Sequence, residues 1–353
     1  MVELADFDAA RLARAGAVAG EAVAAGVYGG VVVAVGNPAG TLWMHTAAES
    51  AAVDLDTIFP VASVTKPIVA LAVMQLAEAG RLLLNDPVAR VIPEFGQQGK
   101  DQITVWHLLT HTSGLPDDLD DLFAQRAPAT AFLRAACERG VRFAPGSHYA
   151  YCNVSFVVLG ELIARLSGQP YPDYLRDHIF APAGMASTGF DPADRARTAA
   201  VVFEDGPEEQ AYFRTLAAPY GGLWTTANDL LAFGRALLSG GPPDAPLLSP
   251  AALAAMTRVQ PGLTSFDTGK PVYAALGWGK RSPMGVLLAS DASFGHGGST
   301  GAFLWIDPVP ALMFVFLAAP LLPGDPDTDR QRDAQRALNA VYGALRAPPS
   351  SAS

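Results

Sequence analysis

Hydrophobic residues recur at helical spacing along most of the chain, and these repeats predict where its helices lie. Residues 7–25 place Ala, Leu and Val with a period close to that of an α-helix, and the glycine-containing segment 26–30 ends it. The stretch from Ser63 to Gly80 is apolar almost all round, which predicts a buried helix. Further helices are predicted at residues 88–92, 104–110, 128–138, 154–166, 173–180, 226–238, 250–257 and 327–345.

Apolar and β-branched runs near both ends of the chain predict strands. Residues 31–35 and 41–46 flank the turn-forming segment 36–40 and predict a hairpin. Residues 58–62 form an extended apolar segment that leads into Ser63. Further strands are predicted at residues 276–278, 286–288, 301–307 and 312–317. The order of these elements predicts a mixed α/β (α+β) fold, in which both termini build a sheet and a mostly helical layer is inserted between them.

Length and composition fit this layout. The chain has 353 residues, half of them hydrophobic and 16% charged, so it can bury a substantial core. One domain is expected over residues 1–347, with a sheet layer at about 1–62 and 215–347 and a helical layer at about 63–214. Residues 348–353 are expected to form a disordered tail.

The charge balance and the cysteine content exclude several classes of partner. A net charge of −10 argues against nucleic-acid binding and gives no reason to expect binding to an anionic membrane. The two cysteines suggest neither a disulfide framework nor a zinc site. No HExxH-type spacing or phosphate-binding glycine motif is present, so no metal and no cofactor are expected. The acidic start lacks the features of a secretory signal, and a cytoplasmic location is expected.

Ser63 and Lys66 are the first candidates for chemistry. They lie three residues apart where the extended segment gives way to a helix, so their side chains share one helix face and can touch. A Ser hydroxyl needs a neighbouring group to take its proton, and the first helical turn favours developing negative charge. The alternative is that Lys66 is a solvated side chain at an ordinary helix start.

Two loops offer partners for this pair. Tyr151 and Asn153 provide a phenol and an amide at the entrance of a predicted helix, although Asn153 also suits an N-cap and Tyr151 can simply pack. The segment His296-Gly297-Gly298-Ser299 precedes a predicted strand, and its glycines allow a close approach of a backbone or a ligand. The alternative for this segment is a mobile turn with an exposed histidine.

Taken together, these motifs resemble a known superfamily. Ser63-x-x-Lys66, Tyr151-x-Asn153 and His296-Gly297-Gly298 occur in the order found in serine β-lactamases and penicillin-binding proteins. The tyrosine form of the second motif is similar to that of class C β-lactamases, D-alanyl-D-alanine carboxypeptidases and family VIII carboxylesterases. Scaffold segments at residues 107–115, 220–226 and 304–308 also look like that family. The resemblance implies the β-lactamase/transpeptidase-like fold, an antiparallel sheet flanked by helices.

The resemblance also implies a role for each motif residue. Ser63 would attack a carbonyl and become acylated, while the backbone N–H groups of Ser63 and Ser299 would form the oxyanion hole. Lys66 and Tyr151 would handle the proton in one of two ways. A charged Lys66 about 4 Å away would supply the roughly 4 kcal/mol needed to make Tyr151 a base at neutral pH. Alternatively, a neutral Lys66 would itself be the base.

The third motif departs from the common pattern. Asn153 is expected to orient the substrate or Lys66, and Gly297 and Gly298 to support binding. His296 stands where many members of the family have Lys. Because an unperturbed His is mostly neutral at pH 7, it offers less permanent positive charge to a substrate carboxylate.

The expected function is therefore a serine hydrolase acting on small esters or amides, with a carboxylesterase-like activity as the leading interpretation. A β-lactamase or D-alanyl-D-alanine carboxypeptidase, an acyltransferase and a non-catalytic penicillin-binding-type sensor remain alternatives. The expected partner is a small ester, amide or β-lactam, and the oligomeric state stays open. The five other histidines are expected to be scaffold or surface residues: His45, His107, His111, His148 and His178.

Overall fold

The computed structural model describes residues 1–201, 206–241, 246–282, 287–321 and 330–346. Within them, the strands are β1 Tyr28–Asn37, β2 Gly40–Ala48, β3 Phe59–Pro60, β4 Trp224–Thr225, β5 Gly279–Lys280, β6 Phe294–Gly297, β7 Phe303–Asp307 and β8 Leu312–Pro320. The α-helices are α1 Ala9–Ala24, α2 Thr65–Glu78, α3 Val105–Leu109, α4 Asp120–Ala124, α5 Ala129–Glu138, α6 Asn153–Ser167, α7 Tyr171–Leu175, α8 Ala181–Ala183, α9 Gly206–Leu216, α10 Ala227–Ser239, α11 Pro250–Thr257 and α12 Gln331–Ala344.

The main sheet joins the two ends of the chain. Its six strands follow the order β2-β1-β8-β7-β6-β5, and every neighbouring pair is antiparallel. The β1–β2 hairpin turns at Asn37, whose side-chain oxygen accepts the N–H groups of Ala39 and Gly40. Strand β8 pairs with β1, so the sequence-based expectation of a sheet built from both termini is confirmed.

Helices cover both faces of this sheet. Side chains alternate between the faces of a strand. In β1, Val31, Val33 and Val35 pack with α1 and α12, whereas Val32 and Ala34 pack with the cluster that contains α2. Helix α2 lies in the same cluster as Val32 and Ala34, and every residue from Thr65 to Met74 is buried. The nearly all-apolar stretch after Ser63 therefore forms the buried helix that its sequence predicts.

Several predicted elements differ from the structure. Residues 276–278 form no strand, because Gly277 turns with φ +73 against α2, where a Cβ would collide with Ala70. The adjacent strand is instead β5, at the edge of the sheet. Helix α9 was not predicted, and His296 lies on β6 rather than in a turn before a strand.

Some predictions fall outside the described residues. The predicted strand at 286–288 is only partly described, and its described part, residues 287–288, is not a strand. The predicted terminal helix appears as Gln331–Ala344, while residues 327–329 lie outside the described part. The predicted tail at 348–353 also lies outside it. The single-domain organisation stays a prediction. No helix in the described residues has the length and apolar character needed to cross a bilayer.

A buried lysine, Lys100, joins its own loop to the end of α5 in the helical layer. Lys100 is fully buried, and its ammonium donates hydrogen bonds to the Cys137 carbonyl, at 2.9 Å, and to the Arg139 carbonyl at the end of α5. Replacing Lys100 by methionine leaves both carbonyls without this donor. We expect the free energy of unfolding to fall by about 2–4 kcal/mol, as charge-assisted hydrogen bonds are lost in a buried place. Urea unfolding checks this, with the Lys270→Met variant as a matched surface control; an unchanged stability would contradict the assigned role.

Candidate active site

The segment that carries Ser63 is a strained turn between β3 and α2. Ser63 lies in a short 3-10 helix, Ala62–Val64, and Ala62 adopts a left-handed backbone with φ +44. The Thr65 hydroxyl donates to the Ala62 carbonyl at 2.7 Å and accepts from the Leu223 N–H at 3.2 Å. These bonds tie the turn to the segment after Tyr220 and hold Ser63 where the sheet meets the helical layer.

Lys66 is buried directly beneath Ser63. Its ammonium nitrogen lies 3.1 Å from Ser63 Oγ, 2.8 Å from Asn153 Oδ1 and 2.7 Å from the Tyr220 carbonyl oxygen. The side chain is fully buried, and loss of water lowers its pKa to about 7, although the nearby Asp117 carboxylate opposes the shift. Near neutral pH, Lys66 is therefore divided between its charged and neutral forms.

Asp117 fixes the start of α6 and the amide of Asn153. It accepts the backbone N–H groups of Asn153, at 2.6 Å, and Val154, at 3.1 Å, as a carboxylate does at a helix N-terminus. It also accepts the Asn153 side-chain N–H at 2.9 Å. This bond orients the Asn153 amide so that its oxygen faces Lys66. Burial raises the pKa of Asp117, and its backbone hydrogen bonds oppose that shift.

Tyr151 stands above Lys66 and beside Ser63. Its ring centroid lies 4.6 Å from the Lys66 nitrogen, and the nearby Ser63 hydroxyl acts to lower the pKa of its phenol. The ring stacks on His111 with a centroid distance of 4.5 Å. The residue keeps 39% of its surface exposed to the cleft, whereas its phenol end has lost water. Loss of water at that end raises the pKa of Tyr151, so the phenol stays protonated at neutral pH.

His111 packs against the site residue Tyr151 from below. It is buried, and its Nδ1 accepts the Cys152 N–H at 3.0 Å. Burial and the nearby Lys66 lower the pKa of His111 well below the usual value. The imidazole that stacks on the Tyr151 ring is therefore neutral. Among the described residues, no hydrogen bond joins His111 to Ser63 or to Lys66. Its scaffold role therefore stays a prediction.

Strand β6 closes the site on the other side. His296 donates from Nδ1 to the Gly297 carbonyl at 2.7 Å, and burial lowers its pKa to about 4. His296 is therefore neutral. Gly298 lies so close to the Ser63 turn that a Cβ would collide with the Val61 carbonyl oxygen. The Thr300 hydroxyl donates to the Pro60 carbonyl at 2.9 Å, which keeps Ser299 beside the same turn.

Ser63 borders two cavities. One, the cleft, has a volume of about 570 Å³, and its lining includes Tyr149, Tyr151, His296, Phe303, Trp305 and the glutamines of α12. The other, the aromatic pocket, has a volume of about 280 Å³ and is lined by four aromatic side chains, Phe123, Phe213, Tyr220 and Trp224. Ser63 and Ser299 line both.

The structure brings together all the residues that the sequence singled out, and it adds two that the sequence did not. Ser63, Lys66 and Asn153 are joined by hydrogen bonds, and Tyr151 and His296 border them. Asp117 is not among the candidate residues that the sequence analysis names. The contact with the Tyr220 carbonyl could not be predicted from the sequence, because any residue at that position has a backbone carbonyl.

Comparison with known proteins gives a consistent result. The model of the Beta-lactamase family matches residues 15–338. Penicillin-binding protein 4 of Amycolatopsis lactamdurans is 32% identical over 319 residues, which span 84% of this chain and 80% of that protein. Esterase EstB of Burkholderia gladioli is 38% identical over 177 residues, 45% of each chain.

A solved structure shares the fold over nearly the whole chain. The hydrolase EstCE1, described as having promiscuous acyltransferase activity, superposes with a TM-score of 0.81 at 22% sequence identity. The superposition covers 97% of this chain and 100% of that one.

Proposed function

The chain belongs to the beta-lactamase family, and from this premise we propose that it is a serine hydrolase that cleaves small carboxylic esters through an acyl-enzyme on Ser63. Membership in this family confirms the resemblance noted in the sequence, with its β-lactamase/transpeptidase-like fold. The observation that carries the proposal is the contact of 3.1 Å between Ser63 Oγ and a buried Lys66 whose pKa is lowered to about 7.

In this account, Lys66 is the base for acylation. Its neutral amine accepts the Ser63 hydroxyl proton as Oγ attacks the ester carbonyl. The raised pKa of Tyr151 argues against a resting phenolate, and so against the alternative in which Tyr151 starts as the base. Asn153, held by Asp117, and the Tyr220 carbonyl keep the Lys66 nitrogen at Ser63.

Two backbone donors are proposed to stabilise the oxyanion. Ser63 lies in the first turn of a 3-10 helix, where N–H groups have no partner within the helix. Ser299 is held beside it through Thr300, and Gly298 permits that approach. One such donor contributes about 3–4 kcal/mol to the transition state in related chemistry.

The phenol of Tyr151 is proposed to protonate the leaving group. When the tetrahedral intermediate collapses, the Tyr151 proton passes to the leaving alkoxide and the extra proton on Lys66 returns to Tyr151. The alcohol departs and Ser63 carries the acyl group. Lys66 is then neutral again and Tyr151 is protonated again. Water then attacks the acyl-enzyme by the same relay in reverse, which releases the carboxylic acid and frees Ser63.

The neutral His296 favours esters over the anionic alternatives. β-Lactams and cell-wall peptides usually carry a carboxylate, and a histidine whose pKa is lowered to about 4 offers it no charge at neutral pH. The similarity to an esterase over nearly half of the chain supports the same choice. The similarity to a penicillin-binding protein keeps β-lactams among the substrates to be tested.

A substrate panel tests this proposal. We expect kcat/KM for p-nitrophenyl butyrate to exceed that for nitrocefin by at least about 100-fold, a difference of about 3 kcal/mol in transition-state binding. D-Alanyl-D-alanine dipeptides should be poorer substrates still. Added methanol reveals how the acyl group is shared between water and an alcohol. Nitrocefin turnover equal to the best ester would contradict the proposal, and a methyl ester as the main product would identify an acyltransferase instead.

A further inference from the structure

His111 contacts the segment that carries Tyr151 in three ways. Its backbone carbonyl accepts the Ala150 N–H at 2.9 Å, and its Nδ1 accepts the Cys152 N–H at 3.0 Å. Its ring stacks on the Tyr151 ring with a centroid distance of 4.5 Å and an angle of 26° between the ring planes. One residue therefore holds the backbone on both sides of Tyr151 and also one face of its side chain.

The backbone and the charge state of His111 make these contacts possible. Its φ is +56, in the left-handed region that residues other than glycine seldom occupy. Cys152 is extended, with φ −147 and ψ 114, and in an extended segment the N–H groups of residues i and i+2 point to the same side. The N–H groups of Ala150 and Cys152 can therefore both reach His111. The low pKa of His111 keeps its imidazole neutral, so Nδ1 carries no proton and can accept.

The segment around His111 is itself held firmly. Thr110, Thr112 and Ser113 are buried together with it. The Thr110 and Thr112 hydroxyls share a hydrogen bond of 2.8 Å, and the Ser113 hydroxyl bonds that of Ser155 on α6 at 3.1 Å. Because satisfied buried polar groups rigidify a core, His111 is a firm support for a side chain that must keep its place.

Tyr151 needs this support because its other side is open. The residue keeps 39% of its surface exposed and lines the cleft, so the ring is held mainly from the side of His111. A proton donor must lie within hydrogen-bond reach of the leaving oxygen. A displacement of about 1 Å can lower a rate by about 10²-fold. The place of this ring therefore controls how well the phenol can protonate a leaving group.

We propose that His111 is a positioning residue for the proton transfer from Tyr151 to the leaving group, and that its Nδ1 acceptor is the essential part. This inference rests on the proposed function, in which the Tyr151 phenol protonates the leaving alkoxide. It assigns to His111 more than the scaffold role that the sequence predicts. Loss of the acceptor would free the Cys152 N–H and let the Tyr151 ring move, whereas the contact between Ser63 and Lys66 would remain.

The leaving group of the ester provides the test. Ethyl butyrate releases ethoxide, a strong base that must be protonated as it leaves, whereas p-nitrophenyl butyrate releases a stabilised anion that needs little help. Both esters form the same butyryl-enzyme, so any change in its hydrolysis is common to both. A misplaced Tyr151 should therefore lower kcat/KM for ethyl butyrate far more than for p-nitrophenyl butyrate. The ratio of the first kcat/KM to the second is the measured quantity.

Two amide variants of His111 differ by one methylene group. In His111→Asn, the side-chain oxygen can replace Nδ1 and asparagine tolerates the left-handed backbone, so the ratio should stay within about threefold of the original. In His111→Gln, the longer side chain carries its oxygen away from the Cys152 N–H. We expect the ratio to fall at least about tenfold, a part of the 10²–10⁴-fold that general acid catalysis contributes. His111→Phe keeps an aromatic face without an acceptor, and the ratio should fall in the same way.

Two further variants calibrate the measurement. His107 Nδ1 accepts the Thr104 N–H at 3.0 Å, which is the same kind of bond at the start of α3. His107→Gln should therefore keep the ratio within about twofold. Tyr151→Phe removes the phenol and gives the largest fall in the ratio that loss of this donor can produce. Circular dichroism shows which variants fold, and if His111→Gln unfolds, His111→Phe and His111→Asn carry the test.

Three results would overturn the inference. An unchanged ratio in a folded His111→Gln or His111→Phe protein would show that Tyr151 keeps its place without the acceptor. An equal loss of activity toward both esters would show a general structural role. A fall in His111→Asn as large as in Tyr151→Phe would show that the acceptor is not the essential part. The proposed function fails separately, through an unchanged ratio in Tyr151→Phe or through an unaltered protein that hydrolyses neither ester.

Discussion

Replacing Ser63 by alanine is expected to lower kcat/KM for p-nitrophenyl butyrate by about 10³–10⁶-fold, the range that loss of a serine nucleophile produces elsewhere. Ser63 Oγ lies 3.1 Å from the Lys66 nitrogen, and Ser63 lines both cavities at the site. Removing this oxygen removes the atom that becomes acylated, whereas the oxyanion donors remain. The measurement is initial-rate kinetics over a range of ester concentrations.

A second serine variant controls for the substitution itself. Ser147 is exposed and its hydroxyl bonds only local groups, the Ala144 carbonyl and the adjacent His148 ring, among the described residues. Ser147→Ala should keep its activity within about twofold, since surface substitutions change stability by at most about 0.5 kcal/mol. Circular dichroism should show both variants folded. Full activity in a folded Ser63→Ala protein would remove Ser63 from the mechanism.

The second large effect concerns Lys66 and pH. The base must be neutral, and a pKa lowered to about 7 means that Lys66 is protonated below this pH and free to accept a proton above it. We therefore expect kcat/KM to rise with pH through an apparent pKa of about 7 and then to level off. Lys66→Met should lose about 10³-fold or more at every pH, and the rise should vanish.

Two neighbours show whether this titration belongs to Lys66. His296 has a pKa lowered to about 4, so His296→Asn should keep the rise near pH 7. The Asp117 carboxylate raises the pKa of Lys66, so Asp117→Asn should move the rise to lower pH. The measurement is the pH profile of kcat/KM for all three proteins. A rise that disappears in His296→Asn, or that moves to higher pH in Asp117→Asn, would show that another group titrates.

The sequence was most informative where local patterns control both fold and chemistry. The spacing of Ser63 and Lys66 put both side chains within reach, because a helical turn fixes the geometry over three residues. The hairpin of β1 and β2 and the buried helix α2 were readable for the same reason. The three motifs in their order identified the family, which the comparison with known proteins then confirmed.

The sequence was less informative where distant segments meet. Asp117 accepts a hydrogen bond from the Asn153 side chain, 36 residues further along the chain. The N-cap residue of α6 makes no side-chain capping bond itself. No local sequence pattern therefore predicts that Asp117 belongs to the site. The Tyr220 carbonyl reaches Lys66 across 154 residues, and a carbonyl has no sequence signature. The apolar run at 276–278 is buried against α2 rather than paired in the sheet, which periodicity alone does not distinguish.

Burial bears on a choice between two proton-transfer schemes that the sequence left open. Both proton-transfer schemes were consistent with the motifs, since ordinary pKa values permit either once a lysine lies near a tyrosine. The structure buries the nitrogen of Lys66 and the phenol of Tyr151 together. Loss of water then lowers the pKa of Lys66 and raises that of Tyr151, which favours the scheme with neutral Lys66 as the base.

The most direct test of the central claim is intact-protein mass spectrometry with a fluorophosphonate, followed by peptide mapping. This reagent phosphonylates an activated serine with loss of fluoride. We predict a single adduct on the unaltered protein, located on the peptide that contains Ser63, and no adduct on Ser63→Ala. An equal adduct on Ser63→Ala, or an unlabelled protein that still hydrolyses esters, would contradict the account.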